Sequence, residues 1–338
     1  MIGKVPGELL EAFVLSRTGV ADPRVLQGPA YGEDTAAIRL DRESDGDADG
    51  DGDDGADRDV LVINTDPISL AVERIGTLGV HVACNDVAAS GATPAWLTTA
   101  IFLPDDDADT LDEITAQLDE AARRLEVAIV GGHAEYAPAQ AQPLLVLTCL
   151  GLTDRYVPTS GARPGDRLLV TKGAGIEGTA ILATDFADEL RDDVPPEVLQ
   201  RGAAFFEDVG LLEEASIVAP HAHAMHDPTE GGLVDGLIEL AVASGVALEV
   251  DRDAIPVREE TVQLCRAAGV DPLRIFGSGA LLAAIPPEAA DEVSAGLDDA
   301  GIEHAYVGTV RDGPDGTLLL GEETFTEPVR DDMYALWE

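Results

Sequence analysis

Apolar residues in the first half of the chain recur with the period of a strand in some stretches and with the period of a helix in others. The helical period is clearest where an apolar residue returns every three or four positions, at Leu111, Ile114, Leu118, Ala121 and Leu125. The pattern predicts strands at 34–40, 60–65, 96–103, 127–130 and 144–150, and helices at 75–90 and 111–125. This ββαβαββ order is typical of a sheet with helices on one face.

The second half repeats the mixed pattern after a cluster of Pro and Gly near 156–164. It predicts one strand at 167–171, a second that ends near His226 and a third at 247–250. It also predicts helical segments at 196–216, 230–243 and 259–268. Further elements are expected at 279–285, 287–299, 304–310 and 316–320. A length of 338 residues also predicts about two domains. We therefore expect an α/β (α+β) protein with domains at 1–156 and 157–338.

The charge balance is extreme, because 21 Lys and Arg residues face 65 Asp and Glu residues, which gives a formal net charge of −44. Such a surface repels phosphate backbones, so nucleic-acid binding is not expected. With 45% hydrophobic residues the chain is not a disordered acidic polymer. The composition indicates a folded, halophilic protein whose self-repulsion is screened by salt. We expect neither a membrane span nor a signal peptide, and a cytoplasmic location.

Residues 41–59 consist almost entirely of Asp and Gly. The spacing of the Asp residues resembles a calcium loop, but Ala56 stands where such a loop has a bidentate Glu. We expect a solvated, mobile insertion between two strands, which could be deleted without loss of the fold.

Acidic or amide residues recur where predicted strands end or helices begin. Asp34 lies at the start of the first strand, Asp66 follows the second, and Asn85 and Asp86 lie inside the apolar helix after it. Hard divalent cations take carboxylate oxygens from several segments, with waters and phosphates completing the shell. Taken singly, each residue also fits a helix cap or a turn. The Asn-Asp pair inside an apolar helix is harder to explain that way, because a buried charge needs a partner.

Two glycine-rich segments follow predicted strands. Gly131-Gly132-His133-Ala134-Glu135 fits either a tight turn or a close approach of the backbone to a ligand. The segment 171–179 (Thr-Lys-Gly-Ala-Gly-Ile-Glu-Gly-Thr) reads as a strand end, a turn and a helix start. Its backbone N–H groups could hold phosphate, with Lys172 adding a charge.

Residues 226–232 (His-Asp-Pro-Thr-Glu-Gly-Gly) are predicted to open a helix. Asp227 fits the N-cap, Pro228 the first turn, and Glu230 a capping box. The same helix start would also suit an anion, because its glycines let a ligand approach the backbone. Zinc is an alternative at three histidines, His221, His223 and His226.

Five motifs occur in a characteristic order. They are Gly-Glu-Asp-Thr-Ala-Ala (32–37), Thr-Asp-Pro-Ile-Ser (65–69), Asn-Asp-Val-Ala-Ala-Ser-Gly-Ala-Thr-Pro (85–94), Gly-Gly-His-Ala-Glu (131–135) and Asp-Pro-Thr-Glu-Gly-Gly-Leu (227–233). Together they resemble the ATP-dependent superfamily of aminoimidazole ribonucleotide (AIR) synthetase. Its members include the carbamoyl dehydratase HypE of hydrogenase maturation, thiamine-monophosphate kinase and selenophosphate synthetase. The second half is most similar to HypE.

The resemblance implies a two-domain PurM-like fold, with a ferredoxin-like N-terminal domain and a C-terminal α/β domain. It also implies ATP held between the domains, and a homodimer formed through the N-terminal sheets. Asp34, Asp66 and Asp86 match carboxylates that bind Mg²⁺ with phosphate. The other cofactor-binding residues that the motifs imply are Asn85, Gly131, Gly132, Lys172, Gly173, Gly175, Gly178, Thr179, Thr229 and Gly231. The catalytic residues implied are Asp227, Glu135 and His133.

Three features depart from the HypE pattern. HypE ends in a cysteine that carries the carbamoyl group, whereas this sequence ends at Glu338 without one, so HypE chemistry on its own tail is not expected. His133 stands where the family has an acid directly after the paired glycines, with Glu135 two residues on. Glu230 stands where the HypE motif has Arg.

We expect an ATP-dependent enzyme that activates an oxygen of a small carbamoyl- or phosphate-type substrate by phosphorylation or dehydration. A HypE-like paralogue fits the resemblance best. An AIR synthetase-like or thiamine-monophosphate kinase-like enzyme is an alternative, and so is a nucleotide-binding paralogue without catalysis. The sequence does not identify the acceptor.

Overall fold

The computed structural model describes residues 4–40 and 60–338, so the insertion predicted at 41–59 lies outside the described residues. These residues form a six-stranded and a seven-stranded sheet. The first contains β1 (Val25–Gln27), β2 (Ala36–Arg39), β3 (Val60–Ile68), β4 (Thr93–Leu103), β5 (Ala128–Tyr136) and β6 (Leu144–Thr153). The second contains β7 (Arg167–Thr171), β8 (Ala224–His226), β9 (Ala247–Val250), β10 (Leu282–Ile285), β11 (His304–Arg311), β12 (Thr317–Leu320) and β13 (Glu323–Phe325).

Helices connect the strands and cover the sheets. In the first half they are α1 (Gly7–Leu10), α2 (Ile75–Ala89) and α3 (Ala108–Arg124). In the second half they are α4 (Ile176–Thr184), α5 (Ala187–Leu190), α6 (Pro196–Ala203), α7 (Leu212–Val218), α8 (Gly232–Ser244), α9 (Glu259–Ala268), α10 (Ala290–Asp299) and α11 (Tyr334–Trp337). Within the described ranges, no helix combines the length and apolar character needed to cross a membrane.

The first sheet, in the order β1-β2-β3-β6-β4-β5, is covered on one face by α2 and α3. Alternate residues of β6, namely Leu145, Leu147 and Cys149, are buried in the core under these helices, and the residues between them are half-exposed. Every residue of the edge strand β5 is exposed. The predicted ββαβαββ order, with helices on one face, is confirmed. The opposite face of the sheet remains largely uncovered by the described part of this chain.

The second sheet, in the order β13-β12-β9-β11-β7-β10-β8, is covered on both faces. Along β7, Leu168 and Val170 pack into a core formed with α8, whereas Leu169 packs into another core formed with α7 and α10. A strand buried on both faces explains the continuous apolar run of this segment.

A further apolar core joins the two halves of the chain. Leu78 and Val82 from α2 pack there with Ile176 and Ile181 from α4, and Tyr334 from the C-terminal segment joins them. This contact brings the C-terminal half of β3 and the start of α4 to opposite sides of one cleft.

Two predicted strand ends were wrong. β3 does not end before Asp66-Pro67 but continues to Ile68, because its pairing with β6 extends to Ile68 opposite Leu145. β5 does not end at 130 but extends from Ala128 to Tyr136 and includes the Gly-Gly-His-Ala-Glu segment, because that segment pairs in parallel with β4. The chain passes from one sheet to the other between Thr153 and Arg167, and the domain boundary at 156 stays a prediction.

Candidate active site

Four carboxylates from separate segments face one another, and we call them the acidic cluster: Asp34 before β2, Asp66 in β3, Asp86 in α2 and Asp227 after β8. Burial raises the pKa of Asp86 well above its ordinary value, and the charges of Asp66, Asp34 and Asp227 raise it further. Burial likewise raises the pKa of Asp227, with Asp34 as the next contributor. The mutual effect shows that the fold brings these acids together.

The two deepest members of the acidic cluster are almost fully buried. Asp86 is 4% exposed and Asp227 is 1% exposed. Neither carboxylate oxygen of Asp227 has a hydrogen-bond partner. A buried carboxylate without a partner is costly, so the donor set fits a hard cation, which takes oxygen ligands. In residues 4–40 and 60–338, no three His, Cys, Asp or Glu side chains are already arranged to hold a metal ion, so water or phosphate oxygens would have to complete its shell.

The local backbone explains why Asp227 has no partner. It was predicted to be a helix N-cap with Glu230 closing a capping box, but α8 begins later, at Gly232, and its N-cap is Gly231. Gly231 and Gly232 have φ angles of 82° and 64°, a left-handed conformation that glycine adopts without strain. The Gly231 N–H donates instead to Asp331 Oδ2 at 2.8 Å. The capping prediction is therefore wrong, and Asp227 points its carboxylate elsewhere.

His226 connects the acidic cluster to the N-terminal segment. Its Nδ1 lies 2.7 Å from Asp34 Oδ2, and its Nε2 lies 3.1 Å from Glu239 Oε2. Lys4 Nζ lies 2.8 Å from the other oxygen of Glu239. Burial alone would lower the pKa of His226, but Asp34 and Glu239 outweigh it and raise that pKa to about 10. The imidazole is therefore charged at neutral pH and orients Asp34.

Asn64 is a site residue that the sequence analysis missed. Its Nδ2 donates to Asp66 Oδ2 at 3.0 Å and to the backbone oxygen of Asp34 at 3.3 Å. Its place two residues before Asp66 on one strand is a signal that could have revealed it, since alternate residues share a face. Glu239 was missed as well, although an acid inside the apolar helix α8 carries the same signal as Asp86 does in α2.

Asn85 lies beside Asp86 but holds two backbone groups together. Its Nδ2 donates to the carbonyl of Val209 at 2.8 Å, and its Oδ1 accepts from the N–H of Leu211 at 3.1 Å. These bonds tie α2 to the segment before α7. Nucleotide binding by Asn85 stays a prediction.

The glycine-rich turn before α4 is tightly packed. Lys172, with φ 55°, places its ammonium group 2.9 Å from the carbonyl of Asp208 and 2.7 Å from Glu214 Oε1. The Thr179 hydroxyl donates to Thr261 at 2.7 Å, and a Cβ on Gly178 would come within 2.8 Å of Ile275. The Lys172 amine is thus directed at protein acceptors rather than toward a phosphate. Gly173 and Gly175, with φ 128° and 70°, form the turn itself.

His133 and Glu135 lie on the exposed strand β5, where their side chains are 3.2 Å apart. Gly132 packs against the backbone of Thr99 on β4, and a Cβ on Gly131 would meet open space. No hydrogen bond or ion pair found among the described residues joins this segment to the acidic cluster. Their catalytic and binding roles stay predictions.

The three histidines considered for zinc have separate partners. His223 Nδ1 lies 3.0 Å from Asp166, His221 Nδ1 lies 3.9 Å from Glu292, and His226 contacts the acidic cluster. The geometry does not support the zinc alternative.

A cleft of about 380 Å³ opens next to the acidic cluster, between the two halves of the chain. Asp66 belongs both to the acidic cluster and to the wall of the cleft. Thr229 and Glu230, from the second half of the chain, also line the cleft. A larger cleft of about 480 Å³ lies at the far end of α2, around Ala88 and Arg155. We place the chemistry at the smaller cleft, because Asp66 of the acidic cluster lines it.

Comparisons with known proteins agree with this architecture. The family model for the N-terminal domain of AIR synthase related protein matches residues 32–153. The model for the C-terminal domain of the same family matches residues 163–321. Each match covers one sheet except for an edge strand, because β1 precedes the first match and β13 follows the second.

Individual relatives and structures extend the comparison. Carbamoyl dehydratase HypE of Azotobacter vinelandii is 33% identical over 70% of this chain and 69% of that protein. Carbamoyl dehydratase HypE of Rhizobium leguminosarum bv. viciae is 30% identical over 74% of this chain and 73% of that protein. The structure of the hydrogenase maturation protein HypE in complex with ATP has a TM-score of 0.70 at 25% identity, covering 96% of this chain and 95% of that one. The structure of a ThiL protein complexed with AMPPCP and TMP has a TM-score of 0.69 at 20% identity, covering 88% of this chain and 90% of that one. At this identity the comparison shows a shared fold.

Proposed function

The chain belongs to the AIR synthase related family and is an ATP-dependent enzyme with that family's two-domain fold, and we propose that it binds ATP with Mg²⁺ at the acidic cluster. The nucleotide would phosphorylate an oxygen atom of a small substrate. That oxygen either keeps the phosphoryl group or leaves with it, as in a dehydration. The observation that carries this proposal is the acidic cluster, which gathers four carboxylates, buries two of them and leaves both oxygens of Asp227 without a hydrogen-bond partner.

Asp34, Asp66 and Asp86 would hold Mg²⁺, with Asp227 facing them. When bound, Mg²⁺ neutralises the charge that develops on the transferred phosphoryl group. Asn64 and the charged His226 hold two of these carboxylates in place, so the ligands need little rearrangement. The four acids come from both halves of the chain, so a bound nucleotide would close the halves on each other.

Asp227 is the residue that we propose moves a proton. Its carboxylate has no other partner, and it follows β8 at the point where the chain turns toward Thr229 and the cleft. A base at this position would accept the proton of the acceptor hydroxyl as the oxygen attacks. A cation that shares the acidic cluster would lower the raised pKa of Asp227.

A HypE-like reaction remains the leading assignment, because carbamoyl dehydratases are the relatives of about 30% identity. An AIR synthetase-like reaction, a thiamine-monophosphate kinase-like reaction, or nucleotide binding without turnover would be distinguished from it by acceptor-dependent turnover. Cytoplasmic location and adaptation to high salt belong to the same proposal, supported by the net charge of −44.

We also propose that the protein is a homodimer formed through its first sheet. One face of that sheet lacks cover within the described residues, and its edge strand β5 exposes Ile129, Val130 and Tyr136. Exposed strand edges and apolar faces favour pairing with another chain. Such a pairing would also bury His133 and Glu135.

The test is ATP binding and hydrolysis in molar KCl, with Mg²⁺ and with a chelator. We expect Mg²⁺-dependent ATP binding, and turnover that rises when the acceptor is present. Asp66→Asn should weaken ATP binding, while the exposed Asp312→Asn should not, which controls for the loss of one negative charge. Equal ATP affinity with and without Mg²⁺ would contradict the proposed site, and binding without turnover with any acceptor would favour the non-catalytic alternative.

A further inference from the structure

The cleft beside the acidic cluster has a wall of net negative charge. Glu177 at the start of α4, Glu230 before α8 and Asp66 all line it. Lys4 is the one basic residue among its lining residues. The Lys4 ammonium group is already paired, at 2.8 Å from Glu239 and 3.5 Å from Asp235. Lys4 also attracts Glu230, but no other basic residue in the described part of the chain lines the cleft, so its carboxylates outnumber its cations.

Two polar groups in this wall lack partners. Ser278 is fully buried, and its hydroxyl makes no hydrogen bond of ordinary geometry. One carboxylate oxygen of Glu230, Oε2, is also buried without a partner. Ser278 lies beside the Glu177 carboxyl and the Tyr334 hydroxyl beside the Glu230 carboxylate, but neither contact has ordinary hydrogen-bond geometry. Buried polar atoms are almost always hydrogen-bonded, so this wall has polar groups that a ligand could satisfy.

The environment of the Glu177 carboxyl also indicates a ligand in the cleft. It is 6% exposed, and burial raises its pKa to about 7. Ser278 lies beside this carboxyl and opposes the rise, while Glu230 adds to it. A group held partly protonated by burial regains its charge when a cation binds next to it.

The rest of the cleft wall is apolar. Leu70, Leu78, Val82, Ile181 and Phe276 line it. Such a surface suits a short hydrocarbon stem, which a purely inorganic cation would not need. In the proposed function Mg²⁺ carries the polyphosphate at the acidic cluster, which leaves the cleft for the acceptor.

We propose that the cleft binds the cationic group of the acceptor substrate, an ammonium or guanidinium, through the carboxylates of Glu177 and Glu230 and the hydroxyl of Ser278. This inference rests on the proposed function, because it treats the cleft as the acceptor side of the ATP site. Asp66 marks the point where the cleft meets the acidic cluster, so the reacting oxygen would lie at that end and the cation at the other.

The experiment compares two probes of nearly equal shape, n-butylguanidinium and n-butylurea, which differ in charge. Binding is measured by calorimetry in molar KCl, with and without Mg²⁺-ATP. We expect wild-type protein to bind the guanidinium roughly tenfold or more tightly, as charged hydrogen bonds in a buried site allow. Glu230→Gln should bring this preference close to one. Glu288→Gln, an exposed acid elsewhere in the same half of the chain, should keep it.

The ratio of the two affinities is the readout, because a general loss of folded protein lowers both together. Glu177→Gln should reduce the same ratio, and serves if Glu230→Gln does not fold. Equal binding of both probes, or binding of neither while ATP still binds, would overturn the inference. A Glu230→Gln variant that loses affinity for Mg²⁺ alone, with no guanidinium preference in the wild type, would also overturn it. Absence of Mg²⁺-dependent ATP binding would instead refute the proposed function, and the probe ratio would still be measurable.

Discussion

Replacing Glu177 with Gln should stabilise the ligand-free protein above neutral pH. Burial raises the pKa of this carboxyl from an ordinary 4.5 to about 7. One pKa unit corresponds to about 1.4 kcal/mol, so ionising Glu177 in the folded state costs about 3 kcal/mol. The folded state holds the proton more tightly than the unfolded state does. The free energy of unfolding of the wild type therefore falls as the pH rises from 4.5 through about 7.

Gln has no proton to lose, so the advantage of Glu177→Gln should grow from about 1 kcal/mol at pH 5 to about 3 kcal/mol at pH 8. Urea unfolding in 2 M KCl, followed by both circular dichroism and tryptophan fluorescence, measures it and tests whether unfolding is two-state. The exposed Glu288→Gln should change stability by no more than about 0.5 kcal/mol at either pH. A Glu177→Gln advantage that is equal at both pH values, or a less stable variant at pH 8, would refute this account.

Four further predictions concern the site and the surface. Asp86→Asn should weaken Mg²⁺-ATP binding at least tenfold in a nucleotide titration without lowering ligand-free stability, because the amide relieves a buried charge; lower stability with normal affinity would make Asp86 a structural residue. His226→Gln should cost about 3–5 kcal/mol in denaturant unfolding at pH 7, because Asp34 and Glu239 lose the cation between them, and a cost below about 1 kcal/mol would contradict that role. Val130→Asp on β5 should convert dimer to monomer in light scattering, whereas an unchanged mass, dimeric or monomeric, would exclude pairing through this strand. Dialysis below a few tenths molar salt should unfold or dissociate the protein, as the screening length then grows to roughly several ångströms, and an unchanged circular dichroism spectrum and mass would contradict this.

Strong periodicity made much of the fold predictable. The helix stripe of α3 and the apolar run of β7 were confirmed because each reflects burial that the local sequence already encodes. Strand ends were less predictable. Nothing local in Asp66-Pro67 or in the Gly-Gly-His-Ala-Glu segment reveals that β6 or β4 supplies hydrogen-bond partners there.

The candidate site shows the same division. The carboxylates of the acidic cluster could be selected from sequence because the family motifs contain them and, for Asp86, because a charge inside an apolar helix needs a partner. The partners of single side chains could not. Lys172 contacts Asp208 and Glu214, which come 36 and more residues later in the chain. Asp227 loses its expected capping role because two left-handed glycines delay the helix.

The scarcity of lysine has a practical consequence for labelling. Lys4 and Lys172 are the two lysines of the chain, and Lys172 is 12% exposed whereas Lys4 is 41% exposed. Amine-reactive esters attack a neutral amine, and at Lys4 they would have to compete with the ion pairs to Glu239 and Asp235 that raise the pKa of its ammonium group. A dye attached to Lys4 would stand at the wall of the cleft and report its occupancy. Coupling the protein to a sensor chip through amines would obstruct that same cleft, so attachment through carboxylates or an affinity tag is the better choice.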